Sequence, residues 1–281
     1  MFGFINYKLF KMKKLLFVIL TIAFINVSFS QDTDRHYFRM HYVDVTGNVG
    51  EFIKANREYF KPLAIDAVKE NDIKNFSYAS SSSVYGGIKD QPFKETMTVD
   101  YPISLYAATK KSNELVAFNY SHLFGINSTG LRFFTVYGPW GRPDMALFKF
   151  TKALFEDKPI DVYNYGKMNR DFTYIDDIVE GVIRVINNPT KNSSLNPSNS
   201  PYQIYNIGSN NPVSLMDFIT IIESEIGKKF KINLMEIQPG DVPSTYADVS
   251  KMFNNLSYRP NTSLKKGVRS FIDWYKYYYV K

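Results

Sequence analysis

The 281-residue sequence contains no cysteine and only three histidines. The absence of cysteine excludes disulfides, a thiol nucleophile and cysteine-ligated zinc. His36, His41 and His122 do not form a metal-ligand spacing such as HExxH, so the sequence predicts no metal site. Hydrophobic residues make up 44% of the chain and charged residues 22%, which is typical of a globular protein and argues against wholesale disorder.

Outside the N-terminus, the excess of positive over negative charges is small. Lys8, Lys11, Lys13 and Lys14 carry four positive charges, and without them the formal net charge of +7 would be +3. The remaining basic residues are interleaved with acidic ones, as on a solvated surface. The sequence has no basic stripe with a DNA- or RNA-binding signature, so nucleic acid is not a predicted partner.

Residues 1–30 have the layout of a secretory signal peptide. A positive start at residues 12–14 precedes an apolar run at residues 15–25, and Ser28 and Ser30 supply small residues for cleavage after Ser30. The run is shorter than the about 20 residues of a membrane-spanning helix, so we predict no stable membrane span. A buried N-terminal strand or helix is the alternative interpretation.

Residues 31–64 have no clear place in a fold. Met40–Val45 alternates weakly, as a strand does, and a TGxxG sequence at Thr46–Gly50 precedes a helix-like stretch. A strand, a glycine turn and a helix could begin a dinucleotide-binding unit. However, the third glycine of a TGxxGxxG pattern would fall at Ile53, and no acidic residue closes a second strand. Phosphate binding here is therefore the minor alternative, and the segment stays unplaced.

From Ile65 onward helices, strands and loops alternate, as in α/β folds. We predict a strand at Ile73–Ala79, a long helix from about Ser104 to Phe124 that ends at Gly125, and a strand at Asn127–Phe134. Further predicted elements are the end of a helix at Ala67–Asn71, helices near Met145–Glu156, Asp176–Ile186, Ser214–Ile226 and Leu264–Tyr279, and a surface loop at Asn192–Pro201.

A YxxxK pattern places Tyr106 and Lys110 on one face of the long helix, since residues i and i+4 of a helix lie together. Tyrosine has an ordinary pKa near 10 and is a poor base at neutral pH. A neighbouring ammonium favours the phenolate, and a cationic nicotinamide ring would favour it further. The pattern is common by chance, so a solvated helix face is the alternative when it is taken alone.

A serine run lies upstream of this pattern, directly after the strand predicted at Ile73–Ala79. Ser80–Ser83 lies where open parallel sheets bind ligands, beyond the carboxyl end of a strand. Ser, Tyr and Lys form the catalytic set of the short-chain dehydrogenase/reductase superfamily, and this sequence resembles its extended branch. Three downstream segments are similar to UDP-glucuronate 4-epimerases: LRFFTVYGPWGRPDMA at 131–146, GKMNRDFTYIDD at 166–177 and QPGDVPSTYAD at 238–248. The resemblance covers about 215 residues, from Ile65 to the C-terminus.

The resemblance implies a role for each matching residue. Tyr106 would be the acid/base on the sugar 4-hydroxyl, Lys110 would support it and hold the nicotinamide ribose, and Ser81 would hydrogen-bond the same hydroxyl. Phe133 would pack against the nicotinamide of NAD, the implied cofactor. The implied substrate-binding residues are Ser82, Ser83 and Thr135 on the sugar side, Arg142 and Arg170 on the diphosphate and uridine side, and Asp241 on the uridine ribose.

The same resemblance narrows the reaction. The related 4,6-dehydratases carry Asp-Glu where this chain has Ser82-Ser83, and the decarboxylating relatives place Glu nearby. With neither carboxylate present, the implied chemistry is 4-epimerisation of UDP-glucuronate or a related UDP-hexose, by hydride loss from C4 and its return to the other face. The resemblance also implies a cytoplasmic enzyme, in conflict with the signal-like leader, and a homodimer formed through paired helices.

The fold implied is α/β, with a Rossmann-type parallel sheet that is truncated at its N-terminal side. We expect the Rossmann part at about 65–134 and 171–210 and the substrate-binding part mainly at 135–170 and 211–281. Because no convincing GxxGxxG turn is present, we predict an unstable chain that binds NAD weakly or not at all. Two alternatives remain: an inactive sugar-nucleotide-binding remnant, and an exported protein of unknown role.

Overall fold

The computed structural model describes residues 19–26 and 39–46 as backbone, and residues 75–191 and 198–280 in full. The chain forms two compact units, residues 1–73 and 74–281. In the first unit, strand β1 (Ile19–Asn26) pairs antiparallel with β2 (Arg39–Thr46). β2 confirms the strand predicted at Met40–Val45. The rest of the signal-like segment, the glycine turn after Thr46 and the helix end at 67–71 lie outside the described residues.

The second unit is built from short strands and longer helices. Its strands are β3 (Phe76–Ser81), β4 (Ser128–Phe133), β5 (Thr135–Tyr137), β6 (Ile160–Val162), β7 (Asn169–Tyr174), β8 (Tyr202–Ile207), β9 (Pro212–Ser214) and β10 (Ile232–Leu234). Its helices are α1 (Leu105–Phe124), α2 (Ala146–Phe155), α3 (Ile175–Asn187), α4 (Leu215–Ile226), α5 (Ser250–Leu256) and α6 (Leu264–Tyr279). The predicted helices and the two predicted strands are confirmed, with shifts of a few residues for β3. The sequence did not predict α5 or strands β5 to β10.

The main sheet is parallel, with the order β3-β4-β8. Its strands are aligned so that Ser81, Phe133 and Ile207 form one rung at the carboxyl edge. Gly130 is required inside β4, because a Cβ there would lie 2.5 Å from the Tyr78 hydroxyl. This arrangement confirms the Rossmann-type parallel sheet, and it brings three strand ends together where such sheets bind ligands.

A smaller sheet, with the order β5-β7-β9, extends from the same edge. Strand β5 begins two residues after β4 and pairs parallel with β7, which pairs antiparallel with β9. Helices α2, α4 and α6 pack around this sheet through an aromatic core in which the rings of Phe172 and Phe218 stack 4.3 Å apart. Aromatic residues make up 16% of the chain, and many of them form this core.

Two further clusters of buried side chains support the main sheet. One packs α3 and α5 onto it through Leu131, Ile178 and Met252. The other lies beneath the turn that follows β3, where the rings of Tyr85 and Phe93 stack 4.6 Å apart. Within residues 75–191 and 198–280, no helix is long and apolar enough to cross a membrane.

Candidate active site

Helix α1 presents Tyr106 and Lys110 beside the carboxyl edge of the main sheet. Ser104 caps the helix, its hydroxyl accepting a hydrogen bond from the backbone N–H of Ala107 at 3.1 Å, and Gly125 ends it in the left-handed conformation. The Lys110 Nζ lies 5.7 Å from the centre of the Tyr106 ring. The Tyr106 side chain is more than half exposed. The i, i+4 spacing therefore places the phenol and the ammonium together, as expected.

Lys110 also joins the helix to the strand that ends in the serine run. Its Nζ donates a hydrogen bond to the backbone carbonyl of Ala79 in β3 at 3.0 Å. Partial burial lowers the pKa of the Lys110 ammonium from its ordinary value. The lysine is thus held between the tyrosine and strand β3, which it contacts at Ala79, two residues before Ser81.

The serine run folds into a tight turn against the start of this helix. Ser81 is the last residue of β3, and its hydroxyl accepts hydrogen bonds from the Ser83 N–H at 3.2 Å and the Ser83 hydroxyl at 3.0 Å. Ser82 begins the short 3-10 helix that follows. Gly86, with a φ of +56°, ends this turn at a point where a Cβ would lie 2.6 Å from the Tyr101 carbonyl oxygen. The glycine lets the turn pack against the segment that enters α1.

Phe133 and Thr135 stand at the junction of the two sheets. Phe133 ends β4 opposite Ser81, and Thr135 begins β5. Thr135 and Arg142 line a mostly apolar cavity of about 50 Å³, together with Tyr137, Met145 and other residues of the following loop and helix. Both residues therefore border one recess beside the carboxyl edge.

Arg142 lies in the loop between β5 and α2. Its Nε donates a hydrogen bond to the Asp144 carboxylate at 3.0 Å, and its Nη2 donates a second hydrogen bond to the same carboxylate. Both side chains are largely exposed. The hydrogen bond from Arg142 to the Asp144 carboxylate raises the pKa of Arg142. The partner of Arg142 is thus a residue outside the predicted set.

The same loop is packed onto the C-terminal helix by aromatic rings. Trp140 adopts a φ of +63°, and its ring lies 4.7 Å from that of Tyr278 and 5.4 Å from that of Trp274 in α6. Trp140 and Trp274 are the two tryptophans of the sequence. Both therefore report on the position of the loop that carries Arg142.

Arg170 and Asp241, 71 residues apart, form an ion pair. The Arg170 Nη2 donates to the Asp241 carboxylate at 2.8 Å. Burial lowers the pKa of Arg170, and the Asp241 carboxylate opposes this change. Gly240, with a φ of +81°, passes close to the carbonyl of Ile103, just before α1. Two predicted substrate-binding residues thus meet near the start of α1.

Several residues that shape this edge were not predicted. Asp171 is fully buried and accepts hydrogen bonds from the Ser209 N–H at 2.6 Å and the Ala247 N–H at 3.1 Å, so it joins the loop after β8 to the segment that follows Asp241. Beneath α1, Glu114 binds Arg132. One feature of the sequence points to Glu114: it lies four residues after Lys110, so it continues the i, i+4 spacing that begins at Tyr106.

The chemistry of these groups fits the nicotinamide-ribose half of a dinucleotide. The phenol and ammonium on α1 are accessible hydrogen-bonding groups suited to ribose hydroxyls, and Phe133 offers a half-buried aromatic surface at the adjacent strand end. The glycines after Thr46, which could belong to a phosphate-binding turn, lie outside the described residues. Within the described part of the chain, no group of three or more His, Asp or Glu side chains could hold a metal ion.

A parallel sheet with Ser, Tyr and Lys grouped at its carboxyl edge defines a Rossmann-type α/β protein of the short-chain dehydrogenase/reductase kind. The chain belongs to the NAD dependent epimerase/dehydratase family, whose model matches residues 40–208. The match begins inside residues 31–64, the segment that the sequence left unplaced.

Related proteins support this assignment. The chain is 53% identical over 225 residues to protein CapI of Staphylococcus aureus. This alignment covers 77% of this chain and 67% of CapI. It is 43% identical over 211 residues to a probable UDP-glucuronate 4-epimerase of Rhizobium meliloti, covering 72% of this chain and 62% of that protein. The chain therefore spans about two thirds of the length of these relatives.

A solved structure gives the same result. The crystal structure of UDP-glucuronic acid 4-epimerase from Bacillus cereus, in complex with UDP-glucuronic acid and NAD, superimposes with a TM-score of 0.69 at 35% sequence identity. The superposition covers 76% of this chain and 65% of that one. The fold of the second unit is therefore the fold of this epimerase over the shared part.

Proposed function

We propose that the chain carries the catalytic and nucleotide-sugar-binding part of an NAD-dependent epimerase that acts at C4 of UDP-glucuronate or a related UDP-hexose. One observation carries the proposal: Lys110 holds the helix bearing Tyr106 against the strand that ends in Ser81. The names of the relatives support the substrate, since UDP-glucuronate 4-epimerases are among them.

In this proposal the side chains at the carboxyl edge act on the 4-hydroxyl of the sugar. The Ser81 hydroxyl and the Tyr106 phenolate hydrogen-bond that hydroxyl, and the phenolate takes its proton as the C4 hydrogen leaves as hydride. Bound NAD⁺ supplies the hydride acceptor and donor. After the 4-keto sugar has turned, Tyr106 returns the proton to the new hydroxyl. The Lys110 ammonium stabilises the Tyr106 phenolate, which is present before the first transfer and again after the second.

The remaining predicted residues bind the nucleotide sugar. Ser82, Ser83 and Thr135 supply hydroxyls to the sugar and its carboxylate. Arg142 and Arg170 offer planar guanidinium groups that can bind two phosphate oxygens at once, and Asp241 accepts hydrogen bonds from the ribose. Each arginine already has a carboxylate partner, so a diphosphate would replace or share that partner.

The exposed face of α1 supports the proposal that the chain forms a homodimer. Leu115, Val116 and Leu123 are each more than half exposed. A second copy of the helix would remove these apolar side chains from water. Light scattering after size exclusion tests this point, and Leu115→Glu is expected to shift a dimer to monomer.

The function is tested by titrating the full chain with UDP and with NAD⁺, separately and together, while recording tryptophan fluorescence. UDP is expected to change the emission, since both tryptophans pack beside the Arg142 loop. Incubation with UDP-glucuronate and NAD⁺, followed by proton NMR of the sugar, should then show the C4 epimer. UDP binding without any epimer would favour the inactive-remnant alternative and contradict the proposal. Recovery of a processed chain beginning at Gln31 outside the cytoplasm would favour the exported-protein alternative.

A further inference from the structure

A buried polar cluster lies beneath the helix that carries Tyr106 and Lys110. It consists of Ser80, Glu114 and Arg132, each about 2–3% exposed, and is called here the Glu114 cluster. The Arg132 Nε and Nη2 donate to the two carboxylate oxygens of Glu114 at 2.8 and 2.9 Å, and the Ser80 hydroxyl donates to Glu114 Oε1 at 2.6 Å. The cluster joins α1 to β3 and β4.

The position of the cluster relates it to the catalytic residues. Tyr106, Lys110 and Glu114 are spaced by four residues and share one face of α1. Ser80 lies between Ala79, whose carbonyl accepts the Lys110 hydrogen bond, and Ser81. Ala79 and Ser80, consecutive residues of β3, are therefore hydrogen-bonded to Lys110 and Glu114 on consecutive turns of α1. The next residue of the strand is Ser81.

The chemistry of the cluster makes this contact specific. Burial alone would lower the pKa of Arg132, but the hydrogen bonds to Glu114 raise it above its ordinary value, so the guanidinium stays charged. The backbone carbonyl of Glu114 also accepts a hydrogen bond from the Tyr202 hydroxyl at 3.0 Å. A buried pair of this geometry is disrupted by small displacements, whereas apolar contacts tolerate sliding.

We propose that the Glu114 cluster is a positioning device that fixes Tyr106 and Lys110 along β3 relative to Ser81. Its three members do not contact the substrate and act through the residues on the helix face. The inference rests on the proposed function of Tyr106 and Lys110. Without the hydrogen bond of Ser80, the helix can shift on the strand, and the ammonium leaves its place beside the phenol.

The first test compares Ser80→Ala with Ser77→Ala in the full chain. Both serines lie in β3, but the Ser77 hydroxyl is buried with no hydrogen-bond partner among the described residues. Tyrosine labelled with ¹³C at Cζ gives an NMR signal for Tyr106, assigned by its loss in Tyr106→Phe. In Ser80→Ala the chemical shift of this signal at neutral pH should move away from its wild-type value, because the Lys110 ammonium beside the ring is displaced, whereas Ser77→Ala should leave it unchanged. Turnover should fall about 10-fold, with KM changed less than 2-fold.

A second variant separates positioning from folding. Glu114→Leu combined with Arg132→Met replaces the ion pair by apolar side chains, a change that often preserves stability. If this variant melts like the wild type and still shows the shifted Tyr106 signal, the proposal is supported. Equal Tyr106 signals in Ser80→Ala, Ser77→Ala and wild type would overturn it. If the wild type shows no turnover, the proposed function fails, while the NMR comparison still decides the positioning role.

Discussion

The ion pairs of this site are of two kinds, and the difference lies in how much water they meet. The side chains of Glu114 and Arg132 are each 3% exposed, and both carboxylate oxygens are hydrogen-bonded within the protein. Arg142 and Asp144 are 74% and 58% exposed, and Arg170 and Asp241 are 18% and 37% exposed. The first pair has no room to exchange partners, whereas the other two face solvent.

This contrast matches two different tasks. A group that transfers a proton must keep its distance and angle to the reacting atom, and a buried support whose two carboxylate oxygens are both hydrogen-bonded provides that constancy. A group that binds a phosphate must give up one anionic partner for another, and an accessible carboxylate allows that exchange at modest cost. Under the two proposals, the same chemical pair, guanidinium and carboxylate, would fix the helix in one region and hold an exchangeable charge in the other.

The largest expected effect comes from removing the phenol of Tyr106, the group proposed to transfer the proton and to be positioned by the buried cluster. Tyr106→Phe should reduce turnover of UDP-glucuronate about 1,000-fold, since general acid–base catalysis contributes roughly 10²–10⁴. UDP affinity should remain within 2-fold, because the arginines proposed to bind the nucleotide are untouched. Tyr101→Phe, which alters an exposed tyrosine nearby, is the control. Sugar turnover by NMR is the measurement, and more than a tenth of wild-type activity in Tyr106→Phe would contradict the assignment.

Breaking the buried pair from one side tests its structural importance. Arg132→Met leaves the Glu114 carboxylate buried and without its cation, and should destabilise the protein by about 3–5 kcal/mol. The matched variant Arg142→Met, in the exposed pair, should leave the unfolding midpoint almost unchanged. Urea unfolding followed by circular dichroism measures both. Equal midpoints for the two variants would show that burial does not distinguish the pairs.

The pair of Arg170 and Asp241, which is proposed to bind the nucleotide, should show the opposite pattern. Arg170→Met should weaken UDP binding about 10- to 100-fold, since a hydrogen bond to a charged group contributes about 1.5–3 kcal/mol. The unfolding midpoint should change little, because Asp241 is left in contact with solvent. Lys167→Met removes the same charge from an exposed position nearby and serves as the control. Calorimetric titration with UDP decides; an unchanged affinity would remove Arg170 from the binding site.

The smallest effect concerns pH and the loops that border the nucleotide. Burial raises the pKa of Asp171, although hydrogen bonds from Ser209 and Ala247 oppose the change. The folded state therefore binds the proton more tightly than the unfolded state, and this contribution is complete below the ordinary carboxyl pKa and is lost as pH rises through the raised value. Relative to Asp171→Asn, the wild type should lose stability between pH 4 and neutrality. A constant difference in unfolding free energy over this range would contradict the prediction.

The sequence predicted the elements whose signals are local. Helix α1 was found with both ends because Ser104 and Gly125 are strong capping residues, and the Tyr106 to Lys110 spacing alone placed those two side chains together. The Ser81 position followed from the general rule that ligands bind at carboxyl ends of parallel strands. These inferences needed no knowledge of distant contacts.

The remainder depends on contacts far apart in sequence. Strands β5, β6 and β10 have three residues each, too few for a periodic pattern, and they form because a distant partner pairs with them. The bond between Arg170 and Asp241 joins residues 71 apart. The pairing of Glu114 with Arg132 was not predicted: the i, i+4 spacing places Glu114 on the same helix face as Lys110, but it does not show that the charge will be buried or which cation will meet it.

The shared rung of Ser81, Phe133 and Ile207 limits how the length of this protein can change in evolution. Since side chains alternate between the two faces of a strand, inserting or deleting one residue within β3, β4 or β8 would turn the following side chain to the opposite face. Such a change would misplace the serine turn or the β4–β5 junction in a single step. Insertions and deletions should therefore be tolerated at the amino ends of these strands, as in the connection between α3 and β8, and rejected near the rung.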